Sequence, residues 1–223
     1  MGTLYIVATA IGNLKDISLR AIEVLKDVDL ILCEDTRVSG KLLNTYDISK
    51  KLVAVNDFNE EARVSESILN LKLGKNMALI SDAGTPLVSD PGYKLVREAI
   101  KNHIIVDSIP GPSAAITALT LSGLPPDKFF FAGYLSKKDG KRKKQLEDVK
   151  KIKEISSNTT IIYESPFRVL KTLNDIREIF GDVDIAVCRE LTKLHEETRR
   201  EKVSESITHF TKQTPKGEFV LLL

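Results

Sequence analysis

SDAGTPLVSDPG, residues 81–92, lies between a short apolar run at 77–80 and a helical pattern at 93–102. The apolar run is typical of a buried strand. A strand that ends in Asp, Ser, Gly and Pro before a helix indicates a loop at the carboxyl edge of an α/β sheet, where ligands bind. The two glycines allow the backbone to approach a ligand closely, and the two prolines stiffen it. We therefore predict a preorganised ligand site here in preference to an ordinary turn.

Strand-like and helix-like runs alternate through the first half of the chain. The strand-like runs lie at 3–8, 30–33, 52–55, 77–80 and 104–109. The helical patterns lie at 18–26, 37–46, 60–73, 93–102 and 113–122. Alternating βα units predict a largely parallel sheet covered on both faces by helices. Three further loops should then share an edge with residues 81–92: ATAIGNLKDIS at 8–18, CEDTR at 33–37 and PGPSA at 110–114.

The segment GLPPD, residues 123–127, interrupts this pattern and predicts a domain boundary. We predict an N-terminal α/β domain over 1–122 and a C-terminal α/β domain over 128–223. The second domain has predicted strands at 129–133, 159–163, 184–188, 198–202 and 219–223, and helices at 141–153, 168–180 and 204–210. Several of its connections are short, so its strands need not all be parallel.

The charge of the chain is unevenly distributed, although the formal net charge is only +2. Nine lysines or arginines and three acidic residues lie at 137–153, and four consecutive basic residues begin the predicted helix. Cations are unfavourable at the amino end of a helix. The basic segment therefore indicates a polyanionic partner; a solvated surface is the alternative.

The sequence lacks the signals of membrane, secreted, metal-binding, dinucleotide-binding and P-loop proteins. No apolar run approaches the ~20 residues of a membrane span, and no basic leader precedes the first strand, which predicts a cytoplasmic protein. Cys33 and Cys188 each end an apolar run and are expected to be buried thiols. The three histidines have no metal-ligand spacing, so no metal site is predicted. Neither the dinucleotide fingerprint nor a Walker A sequence occurs.

Eight motifs follow one another across nearly the whole chain: ATAIGNLKDIS, CEDTR, SDAGTPLVSDPG, PGPSAAITAL, KRKKQLE, YESPFR, RELTK and PKGE. The set resembles the bacterial 16S rRNA (cytidine-2′-O)-methyltransferases of the tetrapyrrole-methylase superfamily. The resemblance implies two α/β domains of the class III methyltransferase type, with S-adenosylmethionine in the cleft between them, usually in a homodimer. It also implies methylation of the 2′-hydroxyl of a cytidine in the decoding centre of 16S rRNA or of the small ribosomal subunit.

The resemblance further assigns residues to the cofactor. These are Ile11, Asp82, Thr85, Ser113, Ala114, Tyr163, Leu191 and Gly217. The chain departs from the family pattern at Ala10, where Pro is usual, at Phe167, where His is common, and at His195, where an aromatic residue is common. NDFN at 56–59 also replaces a His-containing stretch. The cofactor loops themselves are intact.

Catalysis at a ribose hydroxyl benefits from a base, or from a group that stabilises the developing negative charge. Candidates at the ends of predicted strands are Glu164, Glu190 and Asp35 as base, and Arg37, Arg168, Arg189 and Lys193 as charge stabilisers. Glu164 and Arg168 either pair with each other or face a cleft, and Asp35 either caps a helix or faces the ligand. The sequence leaves these alternatives open.

RNA phosphates are expected to contact the basic segment. The residues are Lys137, Lys138, Lys141, Arg142, Lys143 and Lys144. Two rival functions are a small-molecule tetrapyrrole methyltransferase on the same scaffold and a non-catalytic RNA-binding ribosome assembly factor. The basic segment argues against the first, and the rigid cofactor loops argue against the second.

Overall fold

The computed structural model, which describes residues 1–55 and 59–223, divides the chain between Ser113 and Ala114. This division differs from the boundary that GLPPD at 123–127 predicts. The apolar helix Ala114–Ser122 buries Ala115, Ala118 and Leu119, and it packs against the strands of the second unit. The turn-forming residues at 123–127 are therefore a loop within that unit, because burial of an apolar helix decides which core it joins.

The first unit, Met1–Ser113, contains one parallel five-stranded sheet, as predicted. Its strands are β1 (Thr3–Val7), β2 (Leu30–Cys33), β3 (Lys51–Ala54), β4 (Met77–Leu79) and β5 (Ile105–Ile109). Its helices are α1 (Leu19–Asp27), α2 (Thr36–Thr45), α3 (Glu60–Lys72) and α4 (Tyr93–Lys101), with a 3-10 helix at Leu14–Asp16. The strand order is β3-β2-β4-β1-β5. The segments that follow β2, β4, β1 and β5 are therefore neighbours along one edge.

Both faces of this sheet are buried. Leu4 and Ile6 of β1 pack in one apolar cluster, whereas Val7 packs in a second cluster on the other face. Alternation with a period of two explains the division, and continuous apolar strands are typical of parallel sheets covered on both sides. Ser18 caps the amino end of α1, because its Oγ accepts a hydrogen bond from Ala21 N (3.1 Å). Asn59 precedes α3, and its side-chain amide donates to Ala54 O (3.1 Å).

The second unit, Ala114–Leu223, contains a mixed sheet in the order β6-β7-β10-β8-β9. The strands are β6 (Phe129–Tyr134), β7 (Thr159–Glu164), β8 (Asp184–Arg189), β9 (Glu197–Lys202) and β10 (Phe219–Leu222). The helices are α5 (Ala114–Ser122), α6 (Asp139–Ile155), α7 (Val169–Phe180) and α8 (Val203–Lys212). Because β6 is parallel to β7, and β10 is antiparallel to both β7 and β8, the strands β6, β7 and β8 end at one edge. The strand β10 begins at that edge.

The two cysteines are buried free thiols, as predicted, and desolvation by burial raises the pKa of both. Within residues 1–55 and 59–223, no helix has both the length and the apolar character needed to cross a bilayer.

Candidate active site

Three loops of the first unit are tied together at the carboxyl edge of its sheet. Thr9 N donates to Gly84 O (2.9 Å), and Thr85 Oγ1 donates to Pro112 O (2.9 Å). These bonds join the loop after β1 to the loop after β4, and the loop after β4 to the loop after β5. The sequence-based prediction that these loops share an edge is confirmed. The hydroxyl of Thr85, assigned to the cofactor from the resemblance, holds two of the loops together.

Glycine is required where these loops meet. Gly84 has φ of +80°, and a Cβ added there would lie 3.1 Å from Ile11 Cγ2. A Cβ on Gly111 would lie 3.0 Å from Ala8 Cβ. The loop after β4 thus packs closely against the Ile11 side chain, and the loop after β5 packs against Ala8, so a side chain at either glycine would force its neighbour to shift. The result is a cradle of main-chain groups at the ends of β1, β4 and β5, which we call the three-loop cradle (residues 8–18, 81–92 and 110–113).

The loop at 81–92 is held in an unfavourable backbone conformation. Leu87 and Ser89 are in the left-handed region, with φ of 73° and 70°. Leu87 packs against the apolar cluster beneath the loop. Non-glycine residues adopt this conformation only when their surroundings impose it, and such strain clusters at functional sites. The expectation of a preorganised loop is therefore supported by its backbone.

One buried hydroxyl in the cradle lacks a partner. Thr9 is fully buried, and its Oγ1 forms no hydrogen bond with any residue that the structure describes. Leaving a buried polar atom unsatisfied costs about 1–3 kcal/mol, so a hydrogen-bonding partner at Thr9 Oγ1 would be stabilising. Sequence reasoning missed Thr9, because a threonine after a strand carries no signal that its hydroxyl will be orphaned. The cradle fits a ligand with hydrogen-bonding groups, such as S-adenosylmethionine.

The segments that follow two neighbouring strands, β2 and β4, meet beside the cradle. Asp35 N donates to Asp82 Oδ1 (3.1 Å). Burial raises the pKa of the Asp82 carboxyl, the hydrogen bond from Asp35 N opposes this rise, and the charge of Asp35 adds to it. By contrast, side-chain hydrogen bonds from Arg37 lower the pKa of Asp35 to about 2. The pKa of Asp82 is therefore raised, whereas the pKa of Asp35 is lowered.

Asp35 caps a helix, which is one of the two alternatives open from sequence. Its Oδ1 accepts from Arg37 N (2.8 Å) at the start of α2. Arg37 also donates through Nε to Oδ1 (3.1 Å) and through Nη2 to Oδ2 (2.6 Å). The Arg37 side chain remains 87% exposed. The carboxylate thus aligns the guanidinium, while the guanidinium remains open to a ligand.

Glu164 and Arg168 form an internal ion pair in the second unit. Glu164 is 1% exposed, and its Oε1 lies 2.6 Å from Arg168 Nη2. Oε1 also accepts from Ser165 N (2.7 Å), and Oε2 accepts from Thr172 Oγ1 (2.6 Å). Because both oxygens are occupied and buried, the expectation that Glu164 is the base is disfavoured in its present geometry. The pair fixes the turn between β7 and α7.

Glu190, Lys193 and Gly217 form a second cluster at the same edge of this unit. Glu190 Oε1 accepts from Glu218 N (3.0 Å) and from Lys193 Nζ (3.0 Å). A Cβ on Gly217 would lie 2.4 Å from Glu190 Cδ, so a larger residue there would displace the Glu190 side chain. Burial raises the pKa of Glu190, but its hydrogen bonds from Glu218 N and Lys193 lower that pKa overall. A carboxylate stabilised in its charged form is a weak base.

The remaining cofactor candidates of the second unit surround β7. Tyr163 Oη accepts from Ala115 N (3.1 Å), immediately after Ala114 at the start of α5. The Tyr163 ring makes edge contacts with Phe131 (4.9 Å) and Tyr134 (5.7 Å) between centroids. Leu191 is 6% exposed, and it follows Glu190, whose φ is 51°. The structure brings Tyr163 and the start of α5 together, and it sets Leu191 in a strained turn.

The structure corrects the prediction that Arg142 of the basic segment contacts RNA. Arg142 is 2% exposed, and its Nε donates to Asp175 Oδ2 (2.6 Å) while Nη2 donates to Asp139 Oδ1 (2.9 Å). It connects α6 to α7 and is not available to RNA phosphates. Lys143 pairs with Glu178 (2.6 Å), and Lys144 lies 3.5 Å from Asp148 Oδ1. Among the described residues, Lys137, Lys138 and Lys141 are exposed and form no ion pair.

The departures from the family pattern fall in different environments. Ala10 is buried at 8% exposure, Phe167 is 92% exposed, and His195 is exposed. Asn56, Asp57 and Phe58 of the NDFN stretch lie outside the described residues. Ala10 is therefore a buried residue within the first loop of the three-loop cradle, whereas Phe167 presents a large apolar ring to solvent.

Comparisons with known proteins agree on one family. The family model "Tetrapyrrole (Corrin/Porphyrin) Methylases" matches residues 3–206. Proteins named ribosomal RNA small subunit methyltransferase I are similar to the chain: one from Thermotoga maritima is 48% identical over all of this chain and 98% of its own length. Another, from Bacillus subtilis, is 46% identical over all of this chain and 75% of its own length.

Solved structures share the fold at low sequence identity. A diphthine synthase superposes with a TM-score of 0.77 at 14% identity, covering 100% of this chain and 89% of its own. A uroporphyrin-III-C-methyltransferase from Thermus thermophilus superposes with a TM-score of 0.66 at 19% identity, covering 100% and 94%. At these identities the similarity concerns the fold alone.

Proposed function

This chain belongs to the tetrapyrrole (corrin/porphyrin) methylase family, and from that premise we propose that it methylates the 2′-hydroxyl of a cytidine in the decoding centre of 16S rRNA. Relatives that match its whole length are named small-subunit rRNA methyltransferases, so the chain is a methyltransferase of this kind. S-adenosylmethionine is the cofactor. The nucleotide, the 2′-oxygen, a homodimeric enzyme and a cytoplasmic location are the finer parts of the proposal.

The three-loop cradle is the observation that carries this proposal. Gly84 and Gly111 let the three loops pack closely together, and Thr9 Oγ1 is buried without a hydrogen-bond partner in the described structure. A cofactor that approaches the backbone and offers hydrogen-bonding groups fits these features, with Ile11, Asp82 and Thr85 in the same loops. We propose further contributions from Ser113, Ala114, Tyr163, Leu191 and Gly217. When bound, the cofactor supplies an activated methyl group on a sulfonium.

Alignment and charge stabilisation are the proposed contributions of the protein. Of the candidate bases, Glu164 is buried and saturated, and the pKa of both Asp35 and Glu190 is lowered. A strong general base is thus not offered by these carboxylates in their present geometry, and an activated donor needs chiefly correct alignment.

Arg37 is the proposed charge stabiliser. Its guanidinium is aligned by Asp35, which in turn binds Asp82 of the cradle, and its Nη1 forms no hydrogen bond to a described residue. An exposed, oriented cation beside the cradle can stabilise negative charge that develops on the 2′-oxygen. Lys193 is a weaker candidate, because it lies between Glu190 (3.0 Å) and Glu218 (2.7 Å).

The test is methyl transfer to defined acceptors. Purified protein is incubated with S-adenosylmethionine labelled in its methyl group and with small ribosomal subunits, naked 16S rRNA or a carboxylated tetrapyrrole. Label in rRNA, with a reverse-transcription stop and resistance to alkali at one cytidine, is the expected result. Transfer to the tetrapyrrole alone would establish the small-molecule rival. RNA binding without any binding of S-adenosylmethionine in calorimetry would establish the assembly-factor rival.

A further inference from the structure

Phe167 presents its ring to solvent at the edge where β6, β7 and β8 end. Its side chain lies in the turn between β7 and α7, and the residue is 92% exposed. Tyr134, which ends β6 and pairs in register with Tyr163 of β7, is 53% exposed at the same edge. A phenylalanine exposed to this extent contributes little to the core of the unit, and its ring is open for a planar partner to stack on it.

Hydrogen bonds to the buried Glu164 carboxylate hold the turn that contains Phe167. Glu164 Oε1 accepts from Ser165 N (2.7 Å) on one side of Phe167 and from Arg168 Nη2 (2.6 Å) on the other. Val169 N donates to Ser165 O (3.0 Å), which closes the turn into α7. Because the residues on both sides are held by a buried carboxylate, exposure of the ring is a property of the fold. It does not reflect a loosely attached loop.

The same anchor reaches a segment rich in lysine. Arg168 Nη1 donates to Leu135 O (2.9 Å), one residue beyond β6. Ser136 N donates to Gln145 Oε1 (2.8 Å), and Lys138 N donates to Ser136 Oγ (3.2 Å). These bonds fix the backbone of residues 135–138 against α6. One continuous set of hydrogen bonds therefore supports both the aromatic turn and the lysines beside it.

Three cations on this support are available to a partner. Lys137, Lys138 and Lys141 are exposed, and none of them forms an ion pair with a residue that the structure describes. The other basic residues nearby are engaged with carboxylates, as Arg142 and Lys143 are. The unit thus separates cations used for folding from cations left on the surface next to an exposed ring. We call Phe167, Lys137, Lys138 and Lys141 the aromatic–lysine edge.

We propose that the aromatic–lysine edge binds unpaired RNA, with one base stacked on Phe167 and flanking phosphates on the three lysines. The inference rests on the proposed function for the choice of RNA as the partner. Aromatic rings stack on bases that are splayed out of single strands, whereas the bases of an A-form duplex are not accessible in this way. The substrate of this site is therefore an unpaired segment of rRNA, and a helical segment does not satisfy it.

Binding of short RNA probes tests the proposal without methyl transfer. The probe is a ten-nucleotide single-stranded RNA with one 2-aminopurine, and the same strand annealed to its complement is the comparison. Phe167→Ala is expected to weaken single-strand binding roughly ten-fold and to abolish quenching of 2-aminopurine, with the salt dependence unchanged. Phe167→Trp is expected to retain both. Because the ring is exposed, none of these variants should alter the unfolding midpoint.

The lysines have a different signature. Replacing Lys137, Lys138 and Lys141 together by Ala is expected to make the slope of log K against log salt shallower by about 2, since each phosphate contact to a single strand contributes about 0.7. Quenching at saturating protein should persist. Two matched controls are expected to behave as wild type: Ile155→Ala, which removes another exposed apolar side chain, and a triple Ala variant at the exposed Lys26, Lys41 and Lys212.

Three results would overturn the proposal: equal binding of duplex and single strand, wild-type binding and quenching by Phe167→Ala, or no binding of the probe by the wild-type chain. A fourth is a change of sedimentation coefficient in Phe167→Ala with intact RNA binding, which would assign the ring to a protein contact. These readouts need no cofactor and no transfer. Failure of methylation with intact stacking therefore rejects the proposed function and leaves the edge as an RNA site.

Discussion

Arg168 Nη2 lies 2.6 Å from Glu164 Oε1, and the Glu164 side chain is fully buried. The second carboxylate oxygen, Oε2, accepts a hydrogen bond from Thr172 Oγ1 (2.6 Å). Because both oxygens of Glu164 have partners within the protein, the pair stabilises the fold. Glu164 and Arg168, which the sequence suggested as catalytic residues, thus hold the turn that follows β7 in place.

Glu164→Gln is expected to lower the free energy of unfolding by about 3 kcal/mol, because it leaves Arg168 without its buried counter-ion. Urea unfolding at pH 7 measures the change. With the variant held folded at low temperature, the methyl-transfer rate should fall less than about ten-fold. Unchanged stability together with a loss of roughly 1000-fold in kcat would show instead that Glu164 is the base.

Arg142→Met is expected to destabilise the protein by about 3 kcal/mol, because Asp175, at 9% side-chain exposure, loses its close partner and keeps only Lys143 Nζ at 3.9 Å. The RNA affinity of the folded variant should stay within two-fold of wild type, roughly the scatter of such measurements. Lys141→Ala, one position away and exposed, is the control with the opposite pattern: wild-type stability and weaker RNA binding. A weaker affinity for RNA in Arg142→Met without loss of stability contradicts the structural role.

Gly217→Ala and Gly181→Ala form a matched pair. The two glycines have φ of +83° and +82°, but a Cβ on Gly217 meets Glu190 Cδ at 2.4 Å, whereas nothing lies within 4 Å of a Cβ on Gly181. Gly181 has ψ of −166°, which only glycine adopts readily, so a backbone cost of about 1–3 kcal/mol is expected on substitution at these positive-φ positions. Only Gly217→Ala is expected to displace Glu190 and to weaken S-adenosylmethionine binding in calorimetry. Equal effects on cofactor affinity would show that the contact between Gly217 and Glu190 is irrelevant.

Asp82→Asn tests the cradle through pH. Burial raises the pKa of Asp82 above its unfolded value of 3.8, so its contribution to stability is present below pH 3.8 and is lost as the pH rises through the folded pKa. The variant should therefore gain stability relative to wild type between pH 3 and pH 7. Cofactor affinity should fall roughly ten-fold with the loss of the charged acceptor. A variant less stable than wild type at pH 7 would contradict the sign of the shift.

Arg37→Ala is expected to lower kcat for methyl transfer by roughly 100-fold, the usual cost of removing one donor to a developing oxyanion. The dissociation constant of S-adenosylmethionine should not change, since the Arg37 side chain forms its hydrogen bonds with Asp35 among the described residues. Arg20→Ala, another exposed arginine of the first unit, is the control. A rise in KM for RNA with an unchanged kcat would assign Arg37 to substrate binding.

Most of the fold could be predicted from the sequence because its signals are local. Apolar runs and loop residues placed β1, β2, β4 and β5 close to their observed bounds, and the parallel sheet followed from the alternation of strands with helices. The domain boundary was not predictable in this way. A turn such as GLPPD marks a break in the chain, but the side on which α5 is buried depends on the strands against which it packs.

The features of the candidate site likewise fall into those with a local sequence signal and those that depend on contacts distant in sequence. The segments that form the cradle were predictable, because their glycines, prolines and polar residues follow buried strands. The role of each charged residue depends on its partners in the folded protein: both oxygens of the Glu164 carboxylate are hydrogen-bonded, and the Arg142 guanidinium is paired with Asp175. Those outcomes depend on partners 4 to 33 residues distant in sequence. Burial and ion pairing depend on the three-dimensional surroundings of a residue. They distinguish the exposed Phe167 and three lysines from the aromatic and basic residues that stabilise the fold.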